Sequence, residues 1–294
     1  MVAMTLRMVT VVIALSFGMQ FGFAQKTDDL EQLRTKAERG EASAQLRLGL
    51  TYLGGHGVPQ DDTEALRWLS KAAEQGNADA ETMVGVAHAE GRGVPQDYAE
   101  AARWYRKAAE QGNARAQQML GLAFSYGQGV PGDFAEAMRW YRKAADQGYA
   151  DAQYNIGRMY YVGRGVPENF AEAVRWYRKA ADQGDADAQF ALGAMYAEGR
   201  GVPQDYAEAA RWYRKAAEQG NAGAQNMVGF FYYDGRSVPQ DYVLAHMWWN
   251  LAASRSTGEA QARASEARDL VAQKMTPAQI AEAQRLARAW TPSK

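Results

Sequence analysis

The spacing of apolar positions between residues 41 and 256 predicts short amphipathic helices that come in pairs. In the stretch Asp151 to Val162, Ala152, Ile156 and Tyr160 fall at i, i+4 and i+8, one apolar stripe at about 100° per residue. Gly163 and Gly165 end this helix, since glycine accepts the left-handed conformation that closes a helix. Val166-Pro167 then turns the chain. A second helix starts at an acid or amide: Asp61, Asp97, Asp133, Asn169, Asp205 and Asp241 occupy the same place in successive pairs. In five of them a glutamate follows three residues later (Glu64, Glu100, Glu136, Glu172, Glu208), the pattern of a capping box, and Leu244 replaces it in the sixth. Gly76, Gly112, Gly148, Gly184 and Gly220 stand where the second helix ends.

The pairs have one period. Prolines at 59, 95, 131, 167, 203 and 239 and tryptophans at 68, 104, 140, 176, 212 and 248 are each 36 residues apart. The chain therefore divides into repeats 41–76, 77–112, 113–148, 149–184, 185–220 and 221–256, and the predicted fold is all-α, an α/α solenoid of six 36-residue helix-turn-helix units. Such a unit buries its apolar face only against its neighbours, so the array counts as one structure with caps at its ends. Residues 25–40, ending at Gly40, read as an N-terminal capping helix, and 257–294 as a C-terminal helical cap. In that cap Thr276, Pro277 and Gln279 predict a helix start, and Ile280, Leu286 and Trp290 an apolar stripe that folds back on the last repeat.

A further glycine column, Gly49, Gly85, Gly121, Gly157, Gly193 and Gly229, lies inside the first helices. Glycine there costs about 1 kcal/mol relative to alanine, and six repetitions require a packing reason. The expectation is close approach by a large side chain, with the tryptophan column, Trp68 to Trp248, as the buried partner.

Composition narrows the function. Met1 to Ala24 carries one charge, Arg7, an apolar run from Val9 to Phe17, and small residues Gly22 and Ala24 before Gln25. That layout predicts residues 1–24 to be a cleaved signal peptide and the mature protein to be exported, periplasmic or secreted. No cysteine is present, which excludes lipoprotein acylation, disulfides and thiolate chemistry. Removal of Arg7 leaves 32 basic against 34 acidic residues, no field for gathering nucleic acid. No span remains once the signal is removed.

The run Leu-Gly-x-x-Tyr, Gly-x-Gly-Val-Pro and Arg-Trp-Tyr-Arg-Lys-Ala-Ala-Glu-Gln-Gly at this period resembles the Sel-one-like repeat family, a relative of the tetratricopeptide repeats, over 216 of the 294 residues. The resemblance implies a helical superhelix acting as a protein-interaction scaffold or adaptor, with bacterial envelope components among the partners. It also offers an alternative, since a cysteine-rich exported branch is associated with β-lactam binding: a cell-wall-directed protein that binds peptidoglycan or a β-lactam-like ligand with weak hydrolysis. This chain lacks the cysteines of that branch.

Motifs for catalysis are missing: no H-E-x-x-H, G-x-S-x-G, S-x-x-K or phosphate-loop sequence occurs. His56, His88 and His246 lie in different units, and His88 fills a column otherwise held by Tyr52, Phe124, Tyr160, Tyr196 and Tyr232. The reading is a protein without catalytic residues, metal ligands or cofactor. In each unit, positions 4, 8 and 12 centre the buried face of the first helix, and positions 3, 6, 10 and 13 lie opposite. The resemblance implies that first helices line a concave groove. Tyr154, Arg158, Tyr161, Phe190, Phe230 and Tyr233 fall on those opposite positions, and aromatic residues and arginine are the types enriched at binding hot spots. They are the candidate site for a protein or peptide segment.

Overall fold

The computed structural model describes residues 27–293, so the expected signal peptide lies outside the described residues. Within them every regular element is a helix: α1 (Thr27–Glu38), α2 (Ala42–Gly54), α3 (Asp62–Glu74), α4 (Ala78–Glu90), α5 (Tyr98–Glu110), α6 (Ala114–Tyr126), α7 (Phe134–Asp146), α8 (Ala150–Val162), α9 (Phe170–Asp182), α10 (Ala186–Glu198), α11 (Tyr206–Glu218), α12 (Ala222–Asp234), α13 (Tyr242–Arg255), α14 (Gly258–Ala272) and α15 (Pro277–Ala289). The chain forms two units that meet between Gln147 and Gly148, α1 to α7 in one and α8 to α15 in the other. In each, consecutive helices pack on one another as a solenoid.

First helices bury the stripe read from the sequence. Ala80, Ala116, Ala152, Ala188 and Ala224 at position 4 are fully buried, as are Leu48, Leu120, Ile156 and Leu192 at position 8. Position 12 is only half-buried in all six repeats. Its backbone has the more regular role: the carbonyls of Tyr52, His88, Phe124, Tyr160, Tyr196 and Tyr232 each accept the N–H of the next N-cap residue, closing the turn.

The glycine column has a different partner from the one expected. A Cβ on Gly85, Gly121, Gly157 or Gly193 would stand 2.6–2.7 Å from the ring of Tyr105, Tyr141, Tyr177 or Tyr213, and Leu69 and Trp249 take that place opposite Gly49 and Gly229. The close neighbour is thus the residue after each tryptophan. One step along a helix is about 100°, which turns the tryptophans off the glycine, so that Trp68 packs with Leu48 of its own first helix and with Leu33 and Ala37 of α1. Trp68, Trp212 and Trp248 are buried, while Trp104, Trp140 and Trp176 are half-buried. Their outer faces carry lysines, with Lys107, Lys143 and Lys179 at 4.2, 3.9 and 4.1 Å from the ring centres of Trp104, Trp140 and Trp176.

Buried amides tie the helices further. Gln117, Gln189 and Gln225 donate to the carbonyls of Ala109, Ala181 and Ala217 in the preceding second helix. The oxygens of Gln117 and Gln189 accept from Gln147 and Gln219 at the end of their own repeat's second helix, at 2.9 and 2.8 Å. In the last repeat Arg255 holds the second place, and the buried Oε1 of Gln225 has no partner. Glu81 replaces the amide in the second repeat, accepting from Gln111 at 2.6 Å. Burial raises its pKa, against the opposing pull of Lys107 and Gln111.

Second helices are capped by Asp61, Asp97, Asp133, Asn169, Asp205 and Asp241, whose side chains accept first-turn N–H groups. The reciprocal half of the expected capping box is not formed by the glutamates. Glu64, Glu100, Glu136, Glu172 and Glu208 instead pair with Arg67, Arg103, Arg139, Arg175 and Arg211 one turn on, where the cation holds the carboxylate away from the cap. A complete box occurs in α15, between Thr276 and Gln279. There α15 packs on α13, with the Trp290 and Trp248 ring centres 6.3 Å apart and Ser293 N–H donating to the carbonyl of Glu218.

Candidate partner-binding face

The six candidate residues all lie in the C-terminal unit, on three first helices: Tyr154, Arg158 and Tyr161 on α8, Phe190 on α10, Phe230 and Tyr233 on α12. Each aromatic ring leans on the second helix of its own repeat by a positional rule. Position 6 meets the residue that covers the glycine: Tyr154 with Tyr177 at 5.7 Å and Phe190 with Tyr213 at 5.6 Å between ring centres. Position 13 meets the first residue of the second helix, Tyr161 with Phe170 and Tyr233 with Tyr242, at 5.6 and 5.8 Å. Phe230, at position 10, stands edge-on to Trp249 at 5.6 Å.

These contacts divide the six. Phe190 reaches the neighbouring helix as well, since a Cβ on Gly223 in α12 would lie 3.2 Å from its ring; its packing role is the larger. Tyr161 and Tyr233 accept hydrogen bonds from cations, Arg200 and Lys274, each at 2.7 Å. Phe230 is 50% exposed although it belongs to an aromatic cluster. Arg158 is exposed. The rings therefore do not converge on one pocket; they form a row of supported side chains across α8, α10 and α12.

A feature of the same face escaped the sequence reading. Asp151, Asp185 and Asp187 gather at the N-terminal ends of α8 and α10. Asp185 caps α10, accepting the Ala188 N–H at 2.6 Å. Burial pushes its carboxyl up to about 6, Asp151 and Asp187 add to the shift, and the Ala188 N–H opposes it. Asp187 is raised by burial too, against Asn221, which donates to it at 2.8 Å from the N-cap of α12, and the charge of Arg158. The signal was there to be seen: Asn77, Asn113 and Asn221 hold the place of Asp185 in other repeats.

In the N-terminal unit a cavity of about 30 Å³ bordered by Leu46, Leu50, Met83 and Arg115 has room for a water molecule. His246 is buried and its pKa is lowered, first by burial and then by Arg268, against the opposing charge of Asp269. Among the described residues, no three His, Asp or Glu side chains are placed to hold a metal ion, and no helix is long and apolar enough to cross a membrane.

A stack of helix pairs with a fixed aromatic register is the mark of an α-solenoid repeat protein. The model of the Sel1 repeat matches six times, at residues 42–77, 78–113, 114–149, 150–185, 186–221 and 222–256; the chain belongs to the Sel1 repeat family. It is similar to a Sel1 repeat protein from Oxalobacter formigenes, with 33% identity over 81% of this chain and 90% of that one and a TM-score of 0.69. A protective antigen of uropathogenic Escherichia coli with an SLR fold shares 31% identity, over 90% of this chain and 72% of that one, at a TM-score of 0.40. Immunity protein Pa5087 of Pseudomonas aeruginosa is similar in fold at 21% identity, covering 78% of this chain and 81% of that one, with a TM-score of 0.46. Among curated proteins none matches the chain. Sel1 repeat proteins are generally non-catalytic scaffolds that mediate protein–protein interactions.

Proposed function

We propose that this protein is an exported, non-enzymatic scaffold that holds a protein or peptide segment on the first helices α8, α10 and α12, with Tyr154, Arg158, Tyr161, Phe190, Phe230 and Tyr233 as the contact set. The observation that carries the reading is the half-exposed Phe230. A large apolar ring kept in water beside a formed aromatic cluster gains by being covered. Support for export comes from the composition of residues 1–24 alone.

Affinity purification of the protein from its native envelope, with Phe230→Ala and Arg158→Ala as paired controls, tests the proposal. Expected is a partner retained by the native chain and weakened about tenfold or more by either substitution, the scale of a hot-spot residue. Retention of the partner by both variants would place binding elsewhere. Turnover of a chromogenic β-lactam by the purified protein would favour the cell-wall reading instead.

A further inference from the structure

We propose that the seam between α13 and α14 is acid-sensitive: protonation of the buried His246 loosens α14 and uncovers the apolar side of α13 beneath it. Equivalent positions in the six repeats hold Leu66, Ala102, Met138, Val174, Ala210 and His246. In the first of them Leu66 packs with Ala80, Met83 and Val84 of the next first helix, α4. After the last repeat α14 packs on α13 instead, with Val271 against Ala245 and Trp249, and Ala264 against Ala252 and Ala253. An apolar column at the contact between repeats thus ends in a titratable ring at the contact with the cap, and its Nδ1 is buried without a hydrogen-bond partner. An imidazolium carries a proton on both nitrogens, so protonation would leave a charged donor buried and unpaired. The cap has little to hold it against that cost. Of the fifteen residues of α14, Ala264 and Val271 are the two that are buried, against eight of fourteen in α13.

The charges beside the ring come from α14. Arg268 adds to the burial that disfavours the protonated ring, and Asp269 opposes both. Arg268 donates to Asp269 at 2.8 Å and to Asn250 of α13 at 3.4 Å, so the guanidinium is tied to the seam. Among the described residues, no charge on the other helices packed on α13 acts on the ring. On α12 the one charged side chain is Asp234, paired with Arg236 at 2.9 Å. On α15, Glu282 pairs with Arg285 at 2.7 Å, and Arg288 stands in the last turn. A proton on His246 is therefore balanced by a single carboxylate that Arg268 already engages.

Hydrogen exchange of the full chain, read by mass spectrometry at pH 7.5 and pH 5 and corrected for the intrinsic pH dependence of exchange, tests this. A histidine in water titrates at about 6.5, and below that value one extra bound proton shifts the equilibrium by up to about tenfold per pH unit. Expected is a loss of protection of about tenfold in residues 258–272 at pH 5, with residues 206–218 of α11 changing less. Asp185, whose carboxyl is raised by burial, stabilises the chain as the pH falls and so does not produce this loss. His246→Leu, which restores the residue of the first repeat, and His246→Gln should each keep α14 protected at pH 5. Titration of His246 by NMR in the native chain needs no variant, and its midpoint is expected below about 6.5. An unchanged α14 in the native chain, a loss of protection that persists in both variants, or a His246 midpoint at or above about 6.5 would overturn the proposal.

Discussion

Gly121 and Tyr141 are in direct contact across the first and second helices of the third repeat, so close that a Cβ on the glycine would lie 2.6 Å from the ring. The fully buried Tyr141 fills the space that the missing side chain leaves. Gly121→Ala is expected to lower stability by about 1–3 kcal/mol through overpacking, despite alanine's helix preference. Tyr141→Ala should cost about 3–5 kcal/mol. The half-buried Trp140 lies under Lys143, and its removal should cost less than that of Tyr141. Chemical denaturation of the three variants orders them; Trp140→Ala as the most damaging would contradict the packing described.

Tyr141 also completes a hydrogen bond that its equivalent lacks. Its Oη lies 3.1 Å from Ser125 Oγ. One repeat earlier Ala89 holds the serine's place, and the hydroxyl of the buried Tyr105 has no partner. Ala89→Ser should therefore stabilise the protein by about 1 kcal/mol, the net value of a hydrogen bond supplied to a buried orphan. An unchanged or lower melting temperature would show that the added hydroxyl does not reach Tyr105.

Ser237 is the only non-glycine residue with positive φ among those described, at 61°. Gly57, Gly93, Gly129, Gly165 and Gly201 hold that position in the other repeats, with φ between 70° and 76°. A side chain in the left-handed region costs about 1 kcal/mol, so Ser237→Gly should raise stability by roughly that amount. The reverse change, Gly201→Ser, is worse than the loss of that term, because its Cβ would collide with the backbone of Phe170. Thermal melts of the two variants should move in opposite directions; a shift of the same sign would refute the assignment.

Asp185 gives the protein a pH dependence of calculable sign. Its carboxyl titrates at about 6 in the folded chain, raised by burial and by Asp151 and Asp187, against an ordinary value of about 3.9 when unfolded. A raised folded pKa means that this group's contribution to stability is full below about pH 4 and is lost as the pH rises through 6. Asp185→Asn keeps the cap, as Asn221 does in the next repeat, and removes the charge. The variant should be more stable than the native chain at pH 7 by about 1–2 kcal/mol, allowing for partial exposure, and the difference should vanish near pH 4. Parallel stability curves from pH 4 to 7 would rule out the titration.

Much of this architecture was legible beforehand because one unit is written six times. The period, the turn glycines, the N-cap column and the apolar stripe of the first helices are properties of short segments, and local sterics and hydrogen bonding decide them. The role of the in-helix glycine was legible too, but its partner was off by one residue. Periodicity places Trp140 and Tyr141 equally well against Gly121, and only the rotation of the second helix chooses between them. The glutamates likewise fit a capping box until Arg67 and its equivalents compete for them. For the candidate face, the sequence placed six residues on one side of three helices. It did not show that Phe190 packs into α12 while Phe230 stays half in water.

What the chain by itself determined is the unit: two helices, a glycine-proline turn and a buried stripe, all set by contacts within about ten residues of one another. Tertiary structure decided everything that depends on residues from different repeats. Asp187 meets Asn221 thirty-four residues away, Gln189 donates to the carbonyl of Ala181 in the preceding repeat, and the crowding that lifts Asp185 comes partly from Asp151 on another helix. Such pairs depend on the angle and register at which one repeat settles on the next, a choice made by packing many side chains at once, which no single column of the repeat encodes.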